Sequence, residues 1–212
     1  MIIRFDKNIM IKNIIFDWSG TLSDDITPVY KAIMIVFEKF GVKKISLEEF
    51  RKEFELPYMN FFKKYNIGIN KEEADRVFRE AFNPTESKPF AQAKELLDFL
   101  HKKGTKMTIL SSHPEKFLKN EVKDYGFQKY FMDVVGGVHN KTEVINEIMK
   151  KNKFDPKETA YVGDMTHDIE AGKKAKIKII AICWGYQTKE KLSKEKPDFL
   201  IGNLTELKSI VS

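Results

Sequence analysis

Ile14-Ile15-Phe16-Asp17-Trp18-Ser19-Gly20-Thr21-Leu22 is the stretch on which the reading of the whole chain turns. Three consecutive apolar residues suit a strand covered on both faces, because strand side chains alternate between faces and neither face here meets water. A carboxylate follows at once, and Gly20 with Thr21 turns the chain. Outward from this stretch, comparable apolar runs recur at Met107-Thr108-Ile109-Leu110, Val134-Val135, Ala160-Tyr161-Val162 and Ile177 to Ile182. Helical patterns lie between them. One opens near Ser112-His113-Pro114, with Pro114 at the first helical position and Gly126 just past the end. Another begins near Thr142 and carries Val144, Ile145, Ile148 and Met149 on one side. Strands alternating with helices predict a parallel sheet with helices on both faces.

The stretch from about Thr27 to Ser87 breaks this alternation. Thr27-Pro28 opens a helix whose apolar positions Val29, Ile33, Val36, Phe37 and Phe40 follow the 3.6-residue period, and Gly41 closes it. Ser46 with Glu49, and Asn70 with Glu73, repeat the capping-box pattern ahead of Phe50 and Phe54 and ahead of Val77, Phe78 and Phe82. Asn83-Pro84 ends the last of these helices, and Lys88-Pro89 leads into one bearing Leu96, Leu97 and Leu100. The expected architecture is therefore α/β: a Rossmann-like core over 1–26 and 86–212, with a small all-helical insert over 27–85.

A length of 212 residues fits one domain with an insert, and 42% hydrophobic residues are enough to bury a core, which excludes disorder. No apolar run approaches the length that crosses a bilayer, and Met1-Ile2-Ile3-Arg4-Phe5-Asp6 lacks the pattern of a secretory leader, so a cytoplasmic protein without a membrane partner is expected. The formal charge of +6 invites a nucleic-acid partner. Only four of the 37 basic residues are arginines, so 33 are lysines, spread along the chain among glutamates. That pattern reads as solvated surface. Cys183, the single cysteine, can form no internal disulfide and reads as a small buried strand residue.

In open parallel sheets ligands sit at the carboxyl ends of the strands. Asp17 to Leu22 follows the first strand, Ser111-Ser112-His113 the second, Lys141 opens the helix after the third, and Gly163-Asp164-Met165-Thr166-His167-Asp168 follows the fourth. Carboxylates, a hydroxyl pair and a lysine converging on one edge suit a divalent cation and a phosphate: hard oxygen ligands for the metal, lysine and hydroxyls for the oxyanion.

These four stations resemble, in order and context, the haloacid dehalogenase superfamily. Asp17 matches the nucleophile of the Asp-x-Asp-Gly-Thr loop, Ser111 the second-motif hydroxyl followed by Ser112, Lys141 the third-motif lysine, and Gly163-Asp164 with Asp168 the acidic fourth motif. Trp184-Gly185-Tyr186 and Pro197-Asp198-Phe199-Leu200-Ile201 are similar to tail segments of family members. The resemblance implies a helical-capped, Mg²⁺-dependent hydrolase of a small phosphorylated metabolite, similar to phosphoglycolate phosphatases. It further implies an aspartyl-phosphate on Asp17. Catalysis would rest on Asp17, Ser19, Ser111 and Lys141, and phosphate binding on Ser111, Ser112 and Lys141. Mg²⁺ would be held by Asp17, the backbone carbonyl of Ser19, Asp164 and Asp168. Monomer and homodimer both fit.

One position departs from the pattern. Phosphatases of the family carry a second aspartate two residues after the nucleophile, where this chain has Ser19, and a serine hydroxyl cannot act as general acid at neutral pH. Asp17-Trp18-Ser19-Gly20-Thr21 also resembles the Asp-Trp-Ala-Gly-Thr of phosphonoacetaldehyde hydrolases, which use a cap lysine as a Schiff base; Lys63 and Lys64 fall where such a lysine would hang. A non-hydrolytic phosphate-binding protein is the other alternative that Ser19 raises. Trp18 reads as packing beside the loop, Arg51, Lys52 and Tyr58 as cap contacts, and His113 and His167 as local hydrogen-bonding residues flanking the site.

Overall fold

The computed structural model describes residues 10–138 and 140–211; the opening run Met1 to Asp6 and His139 lie outside these residues. The chain begins with β1 (Asn13–Phe16), all four residues buried, and β2 (Ser23–Asp24). Four helices follow: α1 (Ile26–Lys39), α2 (Leu47–Glu53), α3 (Tyr58–Lys64) and α4 (Lys71–Ala81). The chain returns through β3 (Lys88–Pro89) to α5 (Ala93–Lys102), β4 (Lys106–Leu110), α6 (Glu115–Asp124) and β5 (Asp133–Val135). It closes with α7 (Lys141–Asn152), β6 (Thr159–Gly163), α8 (Thr166–Lys174), β7 (Lys178–Ile182), α9 (Lys189–Lys194), β8 (Phe199–Ile201) and α10 (Leu204–Val211).

Six strands form one parallel sheet in the order β5-β4-β1-β6-β7-β8, with β1 hydrogen-bonded between β4 and β6. The consecutive apolar residues divide between its faces. Ile14 and Phe16 join Met107, Ile109, Val162 and Ile180 against α5, α6 and α10. Ile15, Leu110 and Tyr161 pack with Ile145, Ile148 and Met149 of α7 on the other face. This is why period-two polarity is missing from the central strands.

Three short strands escape the periodicity. β8 has only three residues beside Pro197 and Asp198, and β2 pairs with β3 over two residues, antiparallel, where the chain leaves for the four helices and comes back. Lys88-Pro89 is thus a strand in its own right before α5. Pro114 is the N-cap of α6 rather than its first helical residue, and α7 starts one residue before Thr142. Gly126 and Gly41 lie at positive φ beyond α6 and α1, as their positions after helix ends require.

The helical segment builds its own apolar cluster from Phe37, Phe50, Phe54, Phe61 and Val77, to which Met165 and Tyr186 of the sheet domain contribute. Ser46 Oγ and Asn70 Oδ1 accept the N–H groups of Glu49 and Glu73 at 3.1 and 2.9 Å, so both N-caps form. No helix among the described residues is long and apolar enough to cross a membrane.

Candidate active site

The ends of β1, β4 and β6 and the first turns of α7 and α8 meet around Asp17. This carboxylate is buried directly after β1. Its Oδ1 accepts the N–H of Trp18 at 2.7 Å, and its Oδ2 accepts Lys141 Nζ at 2.8 Å. Lys141 also donates to Asp168 Oδ1 at 2.7 Å. Burial alone would lower the pKa of its ammonium. The charges of Asp168 and Asp17 outweigh that and hold its pKa above the ordinary lysine value, so it remains a cation. Asp168 Oδ2 accepts the N–H of Met165 at 3.0 Å, which fixes the carboxylate at the helix N-terminus.

Asp164 is fully buried after Gly163. Its Oδ2 accepts the N–H of Tyr186 at 2.5 Å and its Oδ1 accepts Thr21 Oγ1 at 3.5 Å. Burial, then the charges of Asp168 and Asp17, push its pKa well above the carboxylate range. Two glycines make the close approach possible: a Cβ on Gly20, which has φ +71°, or on Gly185 would overlap the Asp164 side chain.

Ser111 is buried after β4, its Oγ accepting the His113 N–H at 3.3 Å, and Ser112 beside it is half-buried. Ser19 is half-buried too, and its hydroxyl bonds to Asp25. Sequence reasoning missed Asp25. It stands at the N-cap of α1, yet its side chain makes no cap bond. Instead Oδ1 accepts the Gly20 N–H and the Tyr186 hydroxyl, each at 3.1 Å, and burial pushes its pKa up to about 6. Tyr186, read in sequence only as part of a tail segment, therefore ties Asp164 through its N–H to Asp25 through its hydroxyl.

Trp18 packs as expected, fully buried, stacked on Tyr125 at 5.4 Å and donating from Nε1 to Glu121 at 2.7 Å. The histidines do not do what sequence reading expected. His113 Nε2 and both ring nitrogens of His167 are buried without a hydrogen-bond partner. Burial holds both imidazoles below their ordinary pKa, with Lys141 adding to the effect at His167, whose value falls to about 3. Cys183 is half-buried in the loop after β7 rather than within the strand.

The helical segment contacts the sheet domain through α2. Arg51 donates to the carbonyl of Cys183 at 2.9 Å, and Gln187, fully buried, joins the Phe54 carbonyl to the Thr166 N–H at 2.9 and 2.7 Å. Arg51 is thus an interdomain contact, while Lys52 pairs with Glu48 and Tyr58 with Asp75. Lys63 and Lys64 end α3 exposed to solvent, and Lys64 pairs with Glu53. A Schiff-base lysine needs a desolvated amine, which neither residue has.

The donor set fits a divalent metal. Three carboxylates, Asp17, Asp164 and Asp168, are buried at these strand and helix ends, two of them, Asp17 and Asp168, paired with one ammonium, and Ser19 with its carbonyl follows Asp17 on the same loop. Hard oxygen donors with excess negative charge are what such an ion requires. Asp17, His167 and Asp168 each offer a ligand atom within 4.8 Å of one another.

Comparison with known proteins shows the family. The family model described as haloacid dehalogenase-like hydrolase matches residues 14–182. A phosphoglycolate phosphatase from Vibrio parahaemolyticus is 28% identical over 95% of this chain and 96% of its own length. Another, from Aquifex aeolicus, is 30% identical over 92% of this chain and 93% of its own. The solved structure of a haloacid dehalogenase-like family hydrolase from Streptococcus pneumoniae, 21% identical, shares the fold with a TM-score of 0.79 over 95% of this chain and 99% of that one.

Proposed function

The chain belongs to the haloacid dehalogenase-like hydrolases, and from that membership we propose that it is a Mg²⁺-dependent phosphatase of a small phosphorylated metabolite, working through a phosphoryl group carried on Asp17. The observation that carries this reading is the Lys141 ammonium held between Asp17 and Asp168 at 2.8 and 2.7 Å. A buried ammonium so placed orients the Asp17 carboxylate and can share its charge with an incoming phosphate. The names of the phosphoglycolate phosphatases above support a small anionic substrate.

In the proposed reaction Asp17 attacks phosphorus and the leaving oxygen departs in line. Ser111 and Ser112 hold phosphate oxygens, with Lys141 beside them. Water then cleaves the aspartyl-phosphate and restores Asp17. Asp17, the Ser19 carbonyl and Asp164, with Asp168 direct or through water, would hold the Mg²⁺, which neutralises phosphoryl charge when bound. The helical segment 27–85 acts as a cap on the core formed by 1–26 and 86–212, excluding water while Arg51 and Gln187 keep it seated. Ser19 cannot protonate a leaving group, so substrates with good leaving groups, such as acyl and aryl phosphates, turn over faster than alkyl esters.

The test is hydrolysis of acetyl phosphate and p-nitrophenyl phosphate with Mg²⁺. Wild type should be active, EDTA should abolish turnover, and Asp17→Asn should be inactive. Binding of phosphate without any turnover would identify a binding protein instead.

A further inference from the structure

His167 stands beside the Asp17 and Asp168 carboxylates. The ring is the second residue of α8, so the helix fixes where it stands, next to Asp168. About a fifth of the side chain is exposed, yet both ring nitrogens are covered and neither has a hydrogen-bond partner. A buried polar atom left without a hydrogen bond is costly, and this ring carries two. Nε2 is 3.2 Å from Asp168 Oδ1 without a hydrogen bond between them, and His167, Asp17 and Asp168 bring three ligand atoms within 4.8 Å.

We propose that His167 is itself a metal ligand, adding an imidazole nitrogen to the carboxylate oxygens of Asp17 and Asp168, and that the site consequently holds Mn²⁺ or Co²⁺ more tightly than Mg²⁺. Imidazole is a donor for transition ions, whereas Mg²⁺ is served by oxygen. The carboxylates can take part without giving up their present contacts: Lys141 occupies one lone pair each on Asp17 Oδ2 and Asp168 Oδ1, and a carboxylate oxygen has two. Neutral imidazole also adds a ligand without adding negative charge to a site that already has three carboxylates and one ammonium.

This inference rests on the reading that Asp17 and Asp168 flank a divalent cation, and the experiment separates the two. Untagged protein labelled with ¹⁵N-histidine is loaded with Mn²⁺ and compared with unlabelled protein by electron spin-echo envelope modulation. The expected spectrum shows imidazole nitrogen coupling that changes with the label and disappears in His167→Gln. By calorimetry that variant loses Mn²⁺ affinity by roughly 10–100-fold, the range seen when a supporting group of a metal site is removed, while Mg²⁺ affinity stays within about twofold. Mn²⁺ bound with no nitrogen coupling that responds to the label, and released by Asp17→Asn, overturns the His167 assignment but leaves the metal site standing. No binding of Mn²⁺ or Mg²⁺ by wild type overturns both. The labelled wild-type spectrum decides the matter even if His167→Gln fails to fold.

Discussion

Replacing Asp25 with asparagine should stabilise the metal-free protein, and by an amount that depends on pH in a defined way. The carboxyl is 1% exposed and its pKa is raised from 3.8 to about 6, chiefly by burial. The folded state therefore binds this proton more tightly than the unfolded chain. Its contribution is fully present below pH 3.8 and is lost as pH rises through about 6. At about 1.36 kcal/mol per tenfold change in proton affinity, the loss amounts to roughly 3 kcal/mol above neutrality. Asparagine mimics the protonated carboxyl: its Oδ1 can accept both the Gly20 N–H and the Tyr186 hydroxyl, which already converge on one oxygen. Thermal and urea unfolding in EDTA, from pH 4 to 8, should give nearly coincident curves at pH 4, where most of the difference is gone. Above pH 7 Asp25→Asn should melt higher by roughly 6–12 °C, at about 2–4 °C per kcal/mol for a chain of this size. A gap that does not change with pH, or a variant less stable than wild type at pH 8, would refute the reasoning.

Three further outcomes follow from the same geometry. Lys141→Met leaves Asp17 and Asp168 buried without their cation, and should cost about 3–5 kcal/mol in urea unfolding at pH 7, with phosphatase activity lost; a variant as stable as wild type would contradict it. Gly20→Ala must fit a Cβ against Asp164 at a φ of +71° and should abolish Mg²⁺ binding in calorimetry, whereas a variant that binds normally would show that the loop has room. Ser19→Asp restores a general acid and should raise turnover of alkyl phosphates by about 10²-fold or more while changing acetyl phosphate little; equal effects on both would mean that leaving-group protonation is not what the chain lacks.

The sheet was legible because its central strands are covered on both faces, so Ile14 to Phe16, Met107 to Leu110 and Ala160 to Val162 announce themselves as unbroken apolar runs. β8 and the β2–β3 pair were not, since strands of two or three residues carry no period, and Lys88-Pro89 reads as a linker. Asp17, Ser111, Lys141, Asp164 and Asp168 could be picked out because each stands at a strand end or helix start. The structure brings Asp17 and Asp168 together through Lys141, with Asp164 held beside them by Tyr186. Asp25 and Gln187 act through contacts across 133 to 161 positions in the chain, which no local pattern encodes. Asp25 in particular looks like an ordinary helix-opening acid until its side chain is seen turned inward.

Asp17 is the group that should accept phosphorus. The direct measurement is acid-quenched single turnover with acetyl phosphate and Mg²⁺, followed by peptide mass mapping of wild type and Asp17→Asn. A phosphoryl adduct on Asp17, absent in the variant and lost on longer incubation, is the predicted result. Turnover of the wild type with no adduct at any time, or an Asp17→Asn protein that still hydrolyses the substrate at the same rate, would contradict it.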